Sequence, residues 1–308
     1  MLLINVAVAN KALLLISATL LVGVAVLPVL VLPSQLVQRH ARTLSVLSVV
    51  FAALVALTSL FDVYFVLANL GRGVTAELYQ RYLFSTRHGT AVQWRLGFAA
   101  VAAVLGAFAP TRRPVGLLAI LAGLATIGSV SYTSHAAAVG TTFALGTDFV
   151  HFAASGLWAG AIIVGVWLPV WRRDHANHLA NRISLIGTVG AVAIIATGVI
   201  SSLFHTEDPA RFVQSPYALA LVIKIGLAVL VFAVAAYNRF VLMPRIGGLS
   251  GSGEFRRGLL LEAVLLLVLL FTTGILTSSE MPHTHDPDNL PTIFENARGL
   301  FAHLFGGR

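Results

Sequence analysis

Eight long apolar stretches, separated by short polar connections, constrain the fold of this chain more than any other feature of its sequence. A membrane-spanning helix needs about 20 predominantly apolar residues. Charged residues make up only 10% of the chain and hydrophobic residues 57%, so water cannot be its main solvent. We therefore predict an all-α, polytopic membrane bundle of about eight transmembrane helices. The stretches lie at about 10–32, 44–70, 93–109, 114–133, 142–168, 180–203, 217–239 and 256–277.

The polar connections between these stretches are too short to fold independently, which indicates a single transmembrane domain over residues 1–279. Residues 280–308 are predicted to form a polar, histidine-containing tail. The first stretch has no positive charge before Lys11 and no small-residue cleavage site before its prolines. This pattern is typical of a retained first helix and not of a removed signal peptide.

Basic residues are distributed unevenly between the two sides of the predicted bundle. The connections after the first, third, fifth and seventh helices contain eleven arginines, whereas the opposite side has seven basic residues spread over longer segments. Because short cytoplasmic loops carry an excess of Lys and Arg, both termini are predicted to lie outside. The net charge of +8 is thus a topology signal, and no nucleic-acid partner is expected. The outer connection 71–92 is predicted to contain a short surface helix, since its apolar residues recur at helical spacing.

We single out five ionisable residues inside the apolar stretches, because a charge there costs several kcal/mol unless it is paired or hydrated. Counting about 1.5 Å per residue from the helix ends places three of them, Asp62, His151 and Lys224, in one layer below the outer surface. For Asp62 and Lys224 the alternatives are a buried ion pair and a role in handling a substrate. Pairing with Arg239 or Arg257 is predicted for Glu262. The five are Asp62, Asp148, His151, Lys224 and Glu262.

Asp148 and His151 are three residues apart on the fifth predicted helix, so their side chains project from the same face. A carboxylate and an imidazole in this arrangement can bind a divalent metal, or the carboxylate can fix the tautomer of the histidine. His135 lies one short loop away and would complete a site open to the outside. Helix packing is the alternative role for Asp148 and His151, and a place at the membrane interface is the alternative for His135. Because the chain has no cysteine, any metal must be bound by His, carboxylate, Met or backbone groups.

Further candidate ligands lie on the predicted outer side, in the sixth connection and in the tail. They are His205, Met281, His283 and His285. Imidazole and thioether groups both suit copper, so this set can capture a soft or borderline cation. A solvated tail without a bound metal is the alternative.

The residues around this polar layer also carry a resemblance to a known family. In their order and spacing, the motifs over about 130–280 are similar to those of the copper resistance protein D family. They are Ser134-His135-Ala136-Ala137, Asp148-x-x-His151, Leu157-Trp158-Ala159-Gly160, Asn181-Arg182-Ile183-Ser184, Thr197-Gly198, Ser215-Pro216-Tyr217 with Lys224, Asn238-Arg239 with Pro244, and Arg257 with Glu262.

The resemblance implies a multi-pass copper transport protein of the cell inner membrane, which serves copper homeostasis and resistance. Copper ions would move from the periplasmic side toward the cytoplasm. Members of the family are often paired with, or fused to, a CopC-like copper-binding protein, which is therefore the implied partner. The chain contains no ATP-binding loop of the G-x-x-x-x-G-K-[ST] type, and no enzymatic activity is expected.

The sequence is compatible with two other functions. One is a b-type haem redox protein, which needs two histidines at matching depth on facing helices. The other is a membrane sensor or chaperone that binds copper and passes it to a soluble partner without transporting it.

Overall fold

The structure, a computed structural model, describes residues 2–70, 73–109, 112–134, 141–204, 216–248 and 251–278, and within these ranges it is helical and contains no β-strand. Eight of its helices are long and apolar enough to cross a membrane. The prediction of an all-α polytopic membrane bundle is thus confirmed. The helices are α1 (Leu2–Val26), α2 (Ser34–Arg39), α3 (Ala41–Asn69), α4 (Ala76–Ser85), α5 (Arg87–Phe108), α6 (Arg113–Ser131), α7 (Thr142–Trp167), α8 (Arg173–Phe204), α9 (Pro216–Tyr237) and α10 (Gly251–Ser278).

Two spans end in wider helical turns. A π-helical segment, Leu27–Val31, extends α1, and a second one, Asn238–Leu242, extends α9 and leads into a 3₁₀ turn at Met243–Arg245. Proline lies within the first of these segments, where a missing backbone N–H disturbs the regular α-helical ladder. The second segment supplies Asn238, a buried residue of the lower part of the bundle.

Local capping decides where two elements begin. α5 starts at Arg87, six residues before its predicted start, because the Thr86 hydroxyl accepts a hydrogen bond from the backbone N–H of Gly89 at 2.9 Å. The Thr75 hydroxyl likewise accepts from the N–H of Leu78 at 3.2 Å and caps α4. This helix is the short one predicted for the connection 71–92.

The first span lies at the centre of the bundle and is the most buried of the eight. It packs against α3, α6, α7 and α10. Its apolar residues are spread around the whole helix, as expected of a helix surrounded by protein. We call the end of the bundle where this span begins, at Val6, the upper end, and the end where it finishes, at Val31, the lower end. Successive spans alternate in direction, so α5, α7 and α9 also begin at the upper end.

The spans of α8 and α9 are the least buried of the eight. α8 packs mainly on α7, and α9 packs mainly on α10. A cleft therefore separates α8 from α9, and its floor is formed by side chains of α7 and α10. The buried polar residues Asn238 and Glu262 lie at the base of this cleft.

Candidate functional site

The two polar residues predicted to share a face of one helix do so in the upper part of α7. The Thr141 hydroxyl caps this helix by accepting from the N–H of Ala144 at 3.2 Å, which sets the start of the first turn. Asp148 and His151 follow in the second and third turns, and both side chains are half-buried.

The carboxylate of Asp148 accepts a hydrogen bond from the end of α6 and is attracted by a positive charge on α9. The Ser134 hydroxyl, just after the end of α6, donates to Asp148 Oδ2 at 2.8 Å. The ammonium group of Lys224, on α9, interacts electrostatically with this carboxylate and with the ring of His151. Asp148, His151 and Lys224 therefore form one cluster, which we call the α7 cluster.

Hydrogen bonds to α8 orient the ring of His151. Nδ1 lies 3.0 Å from the hydroxyl oxygen of Thr197, and that hydroxyl already donates its proton to the carbonyl of Ala193 at 2.6 Å. The Thr197 oxygen can then accept from Nδ1, and in this tautomer of the neutral ring Nε2 keeps its lone pair. The backbone carbonyl of Ile194 is a second acceptor beside the ring. This is the arrangement in which histidine ligates a metal through Nε2 while its other nitrogen is fixed by an outer partner.

A cavity of about 90 Å³ adjoins the α7 cluster, and we call it the upper cavity. His151, Ser155 and Lys224 supply polar groups to its wall, and Trp158 and Phe232 also line it. A water needs about 10–15 Å³ of such space and polar partners. The upper cavity can thus hold a partly hydrated ion next to His151.

The remaining predicted ligands lie outside the described residues. They are His135, His205, Met281, His283 and His285. Among the residues that are described, no group of three or more His, Asp or Glu side chains comes together in a way that could hold a metal ion. The completion of a metal site by His135 therefore stays a prediction.

The structure pairs Asp62 with partners other than Lys224. Lys11 Nζ of α1 lies 3.2 Å from Asp62 Oδ2, and His88 Nε2 of α5 lies 3.2 Å from the same oxygen. Lys224 interacts with Asp148 instead. The interpretation of Asp62 and Lys224 as one ion pair is wrong, because α3 packs on α1 and α5 whereas α9 packs on α10.

Asp62, Lys11 and His88 form a second polar cluster, the Asp62 cluster, which also includes Tyr82 of α4. The phenol of Tyr82 lies 3.1 Å from His88 Nδ1. Burial and the negative charge of Asp62 raise the pKa of this phenol, so it keeps its proton and donates to the imidazole. His88 Nε2–H then donates to the carboxylate. The Asp62 cluster thus ties the surface helix α4 to α1, α3 and α5.

Arg95 of α5 is a buried charge that the sequence analysis missed. Its side chain is fully buried (0% exposed) and donates to the hydroxyl and carbonyl of Ser129 on α6 at 3.2 and 3.3 Å. It also acts electrostatically on Asp62. The sequence contains a signal for this residue, because Arg95 lies inside the predicted span 93–109. A charge at such a position is costly and therefore marks a candidate functional residue. Lys11 and His88 were missed as partners because they lie near helix ends, where basic residues and histidines are common.

Glu262 of α10 has neutral partners instead of the predicted arginines. Asn238 Nδ2 donates to Glu262 Oε2 at 2.7 Å, and the side chain of Trp158 also interacts with this carboxylate. Arg239 donates to the hydroxyl of Ser184. All of these residues line the cleft between α8 and α9, a cavity of about 300 Å³ that we call the lower cavity.

Two sequence profiles of one family match the chain and together span most of it. The profile "Copper resistance protein D-like, N-terminal domain" matches residues 1–147. The profile "Copper resistance protein D" matches residues 177–276. The second match covers α8 to α10, which contribute Thr197, Lys224 and Glu262 to the sites described above.

Three curated proteins are similar to parts of the chain, and the names of two of them refer to copper. The chain is 29% identical to Copper resistance protein D of Pseudomonas syringae pv. tomato over 56% of this chain and 59% of that protein. It is 26% identical to Copper transport protein CutJ of Bacillus subtilis (strain 168) over 55% of this chain and 31% of the relative. It is 25% identical to Inner membrane protein YebZ of Escherichia coli (strain K12) over 32% of this chain and 34% of the relative.

The matches thus span between about a third and three fifths of the length of these relatives. No solved structure matches the chain. The two profiles, the named relatives and the helical membrane fold agree with the motifs noted in the sequence, and the chain belongs to the copper resistance protein D family.

Proposed function

We propose that this protein transports copper through the cell inner membrane, from the outer side toward the cytoplasm, and that His135, Asp148 and His151 bind the ion on its way in. The main support is the His151 ring, which Thr197 orients through Nδ1, so that the neutral ring offers Nε2 as a metal ligand. The names of two relatives, which refer to copper resistance and copper transport, support the choice of metal.

The charges of the α7 cluster suit reversible binding of a cation. Imidazole is a good copper ligand, and a nearby carboxylate adds electrostatic attraction. Lys224 balances the charge of Asp148 while no ion is bound, and an entering cation replaces it as the counter-charge. Such an exchange avoids leaving a carboxylate uncompensated in the bilayer, which would cost several kcal/mol.

Ligands at the upper end of the bundle supply copper to this site. The upper end of the bundle faces the outside, where both termini lie. His205, Met281, His283 and His285 collect copper there, from solution or from a CopC-like periplasmic protein. The ion is the cargo, and no catalytic step is required of the protein.

The upper cavity supports this function better than haem binding. Its volume of about 90 Å³ is well below the roughly 300–1,000 Å³ of pockets that hold drug-sized ligands. A sensor or chaperone would bind copper as this proposal requires but would not move it across a membrane. Uptake of copper isotope into proteoliposomes separates the two functions, because only a transporter accumulates the isotope inside.

Replacing His151 with alanine is expected to lower copper affinity and uptake at least about tenfold, the minimum loss that removal of even an outer partner of a ligand causes. The measurements are copper binding to the purified protein and isotope uptake into proteoliposomes. His178→Ala is the matched control, because His178 is an exposed histidine near the lower end of α8. An unchanged affinity in a folded His151→Ala variant would return this residue to a packing role.

Replacing Thr197 with valine is expected to lower copper affinity about 10- to 100-fold, since the hydroxyl that orients the His151 ring is lost while side-chain volume is kept. Thr197→Ser keeps the hydroxyl and should bind copper nearly as tightly as the wild type. Titration of both purified variants with copper distinguishes the two. Equal affinities of the valine and serine variants would show that Thr197 does not orient a ligand.

A further inference from the structure

One stacked aromatic pair separates the two cavities of the bundle. Trp158 of α7 and Phe232 of α9 lie with their ring centroids 5.5 Å apart and their planes at 12°. Both rings line the upper cavity and the lower cavity. His151 and Trp158 are seven residues apart on one helix, which places them on the same face about 10 Å from each other. The polar groups of the two cavities therefore lie above and below a single aromatic partition.

The lower side of this partition contains a buried carboxylate with no cationic partner. Glu262 is 2% exposed, and among the described residues no Lys, Arg or His nitrogen lies within 4.0 Å of it. Arg239, the charged group that shares the lower cavity with it, donates to Ser184. Inside a bilayer, such a carboxylate must be neutralised by a proton or by a cation that enters from the cavity.

The surroundings of Glu262 suit a proton better than a metal ion. A metal needs several ligands, and the described residues bring no group of three potential His, Asp or Glu ligands together here. A proton needs only the one carboxylate. The amide of Asn238 and the indole of Trp158, both hydrogen-bond donors, stabilise the ionised form, whereas burial without a cation favours the neutral form. The surroundings of Glu262 thus stabilise both its ionised and its protonated form.

We infer that Glu262 takes up and releases a proton through the lower cavity, below the Trp158–Phe232 partition. The inference goes beyond the proposed function, because it concerns a different side chain and a different cation and does not depend on copper as the cargo. Asn238 and Trp158 act as positioning residues that hold the carboxylate at the edge of the cavity.

The test uses the full-length protein in proteoliposomes and dicyclohexylcarbodiimide, an apolar reagent that modifies protonated carboxyl groups in membranes. Peptide mass spectrometry is expected to find the adduct on Glu262 and to find none in Glu262→Gln. Glu77, an exposed residue of α4, should stay unmodified, and Glu77→Gln should label like the wild type. Localisation of the adduct in the wild-type protein gives a result even if the Glu262→Gln variant does not fold.

Infrared spectroscopy provides the second readout. The carbonyl band of a protonated carboxylic acid should change between acidic and alkaline buffer in the wild type, and this change should be lost in Glu262→Gln. An unmodified Glu262 in folded wild-type protein would overturn the inference, as would a band that is unaffected by the substitution. Protection of Glu262 from the reagent by copper, together with loss of a bound copper equivalent in Glu262→Gln, would assign the position to a metal ion instead and would also overturn it.

Discussion

Replacing Gly160 with leucine is expected to prevent the bundle from folding, with a loss of at least about 3 kcal/mol in the free energy of unfolding. Gly160 of α7 lies directly against Gly23 of α1, and a Cβ added at Gly160 would lie 2.8 Å from the Cα of Gly23. The obstructing atoms include backbone, which cannot rotate away as a side chain can. α1 is the central helix, so separating it from α7 disturbs the packing of most of the bundle.

Size-exclusion chromatography and thermal unfolding in detergent measure this effect. Gly226→Leu is the matched control, because a Cβ added at this residue of α9 meets nothing within 4 Å. The control should elute and unfold like the wild type. A Gly160→Leu variant that unfolds at the wild-type temperature would show that α1 and α7 do not approach as closely as described here.

Replacing Asp62 with leucine is expected to lower the free energy of unfolding by about 3 kcal/mol. This is the lower end of the usual cost of removing one partner of a buried ion pair, because the side chains of Lys11 and Asp62 stay 19% and 12% exposed. The substitution leaves the ammonium group of Lys11 without its carboxylate, 3.2 Å away in the wild type. It also removes the acceptor of His88 Nε2–H and so loosens the attachment of α5 to α3.

A double substitution separates the cost of an unpaired charge from the value of the pair. Lys11→Met combined with Asp62→Leu removes both charges and should recover much of the stability that Asp62→Leu loses. Denaturant or thermal unfolding of the single and double variants completes the cycle. If the double variant is as unstable as the sum of the two single variants, Lys11 and Asp62 do not interact and the described pairing is incorrect.

The spans could be predicted closely from the sequence because the bilayer leaves the backbone few choices. An apolar segment of about 20 residues must satisfy its own hydrogen bonds as a helix. The observed helices therefore match the predicted ones, except that α1, α5, α8 and α10 begin five to eight residues earlier. The shared face of Asp148 and His151 followed from helical periodicity in the same way.

The partners of the buried charges could not be predicted in this way. Depth placed Asp62 and Lys224 in one layer, but depth does not specify which helices are neighbours. Asp62 pairs with Lys11, Lys224 acts electrostatically on Asp148, and Glu262 accepts a hydrogen bond from Asn238 instead of pairing with an arginine. Arg95 is the complementary case, since its position inside a predicted span is visible in the sequence but its hydrogen-bond partner Ser129 on α6 is not.

The pattern of apolar and polar residues alone predicts that this chain crosses the membrane as helices, which residues share a face, and which polar side chains are too costly to lie in lipid without a function. The order in which the helices pack is visible only in the folded bundle, and with it the separation of the Asp62 cluster from the α7 cluster and the aromatic partition above Glu262. Because lipid tails are as apolar as leucine, apolarity alone cannot select a helix's neighbours. Close contacts between small residues, such as Gly23 and Gly160, and hydrogen bonds between helices make that selection.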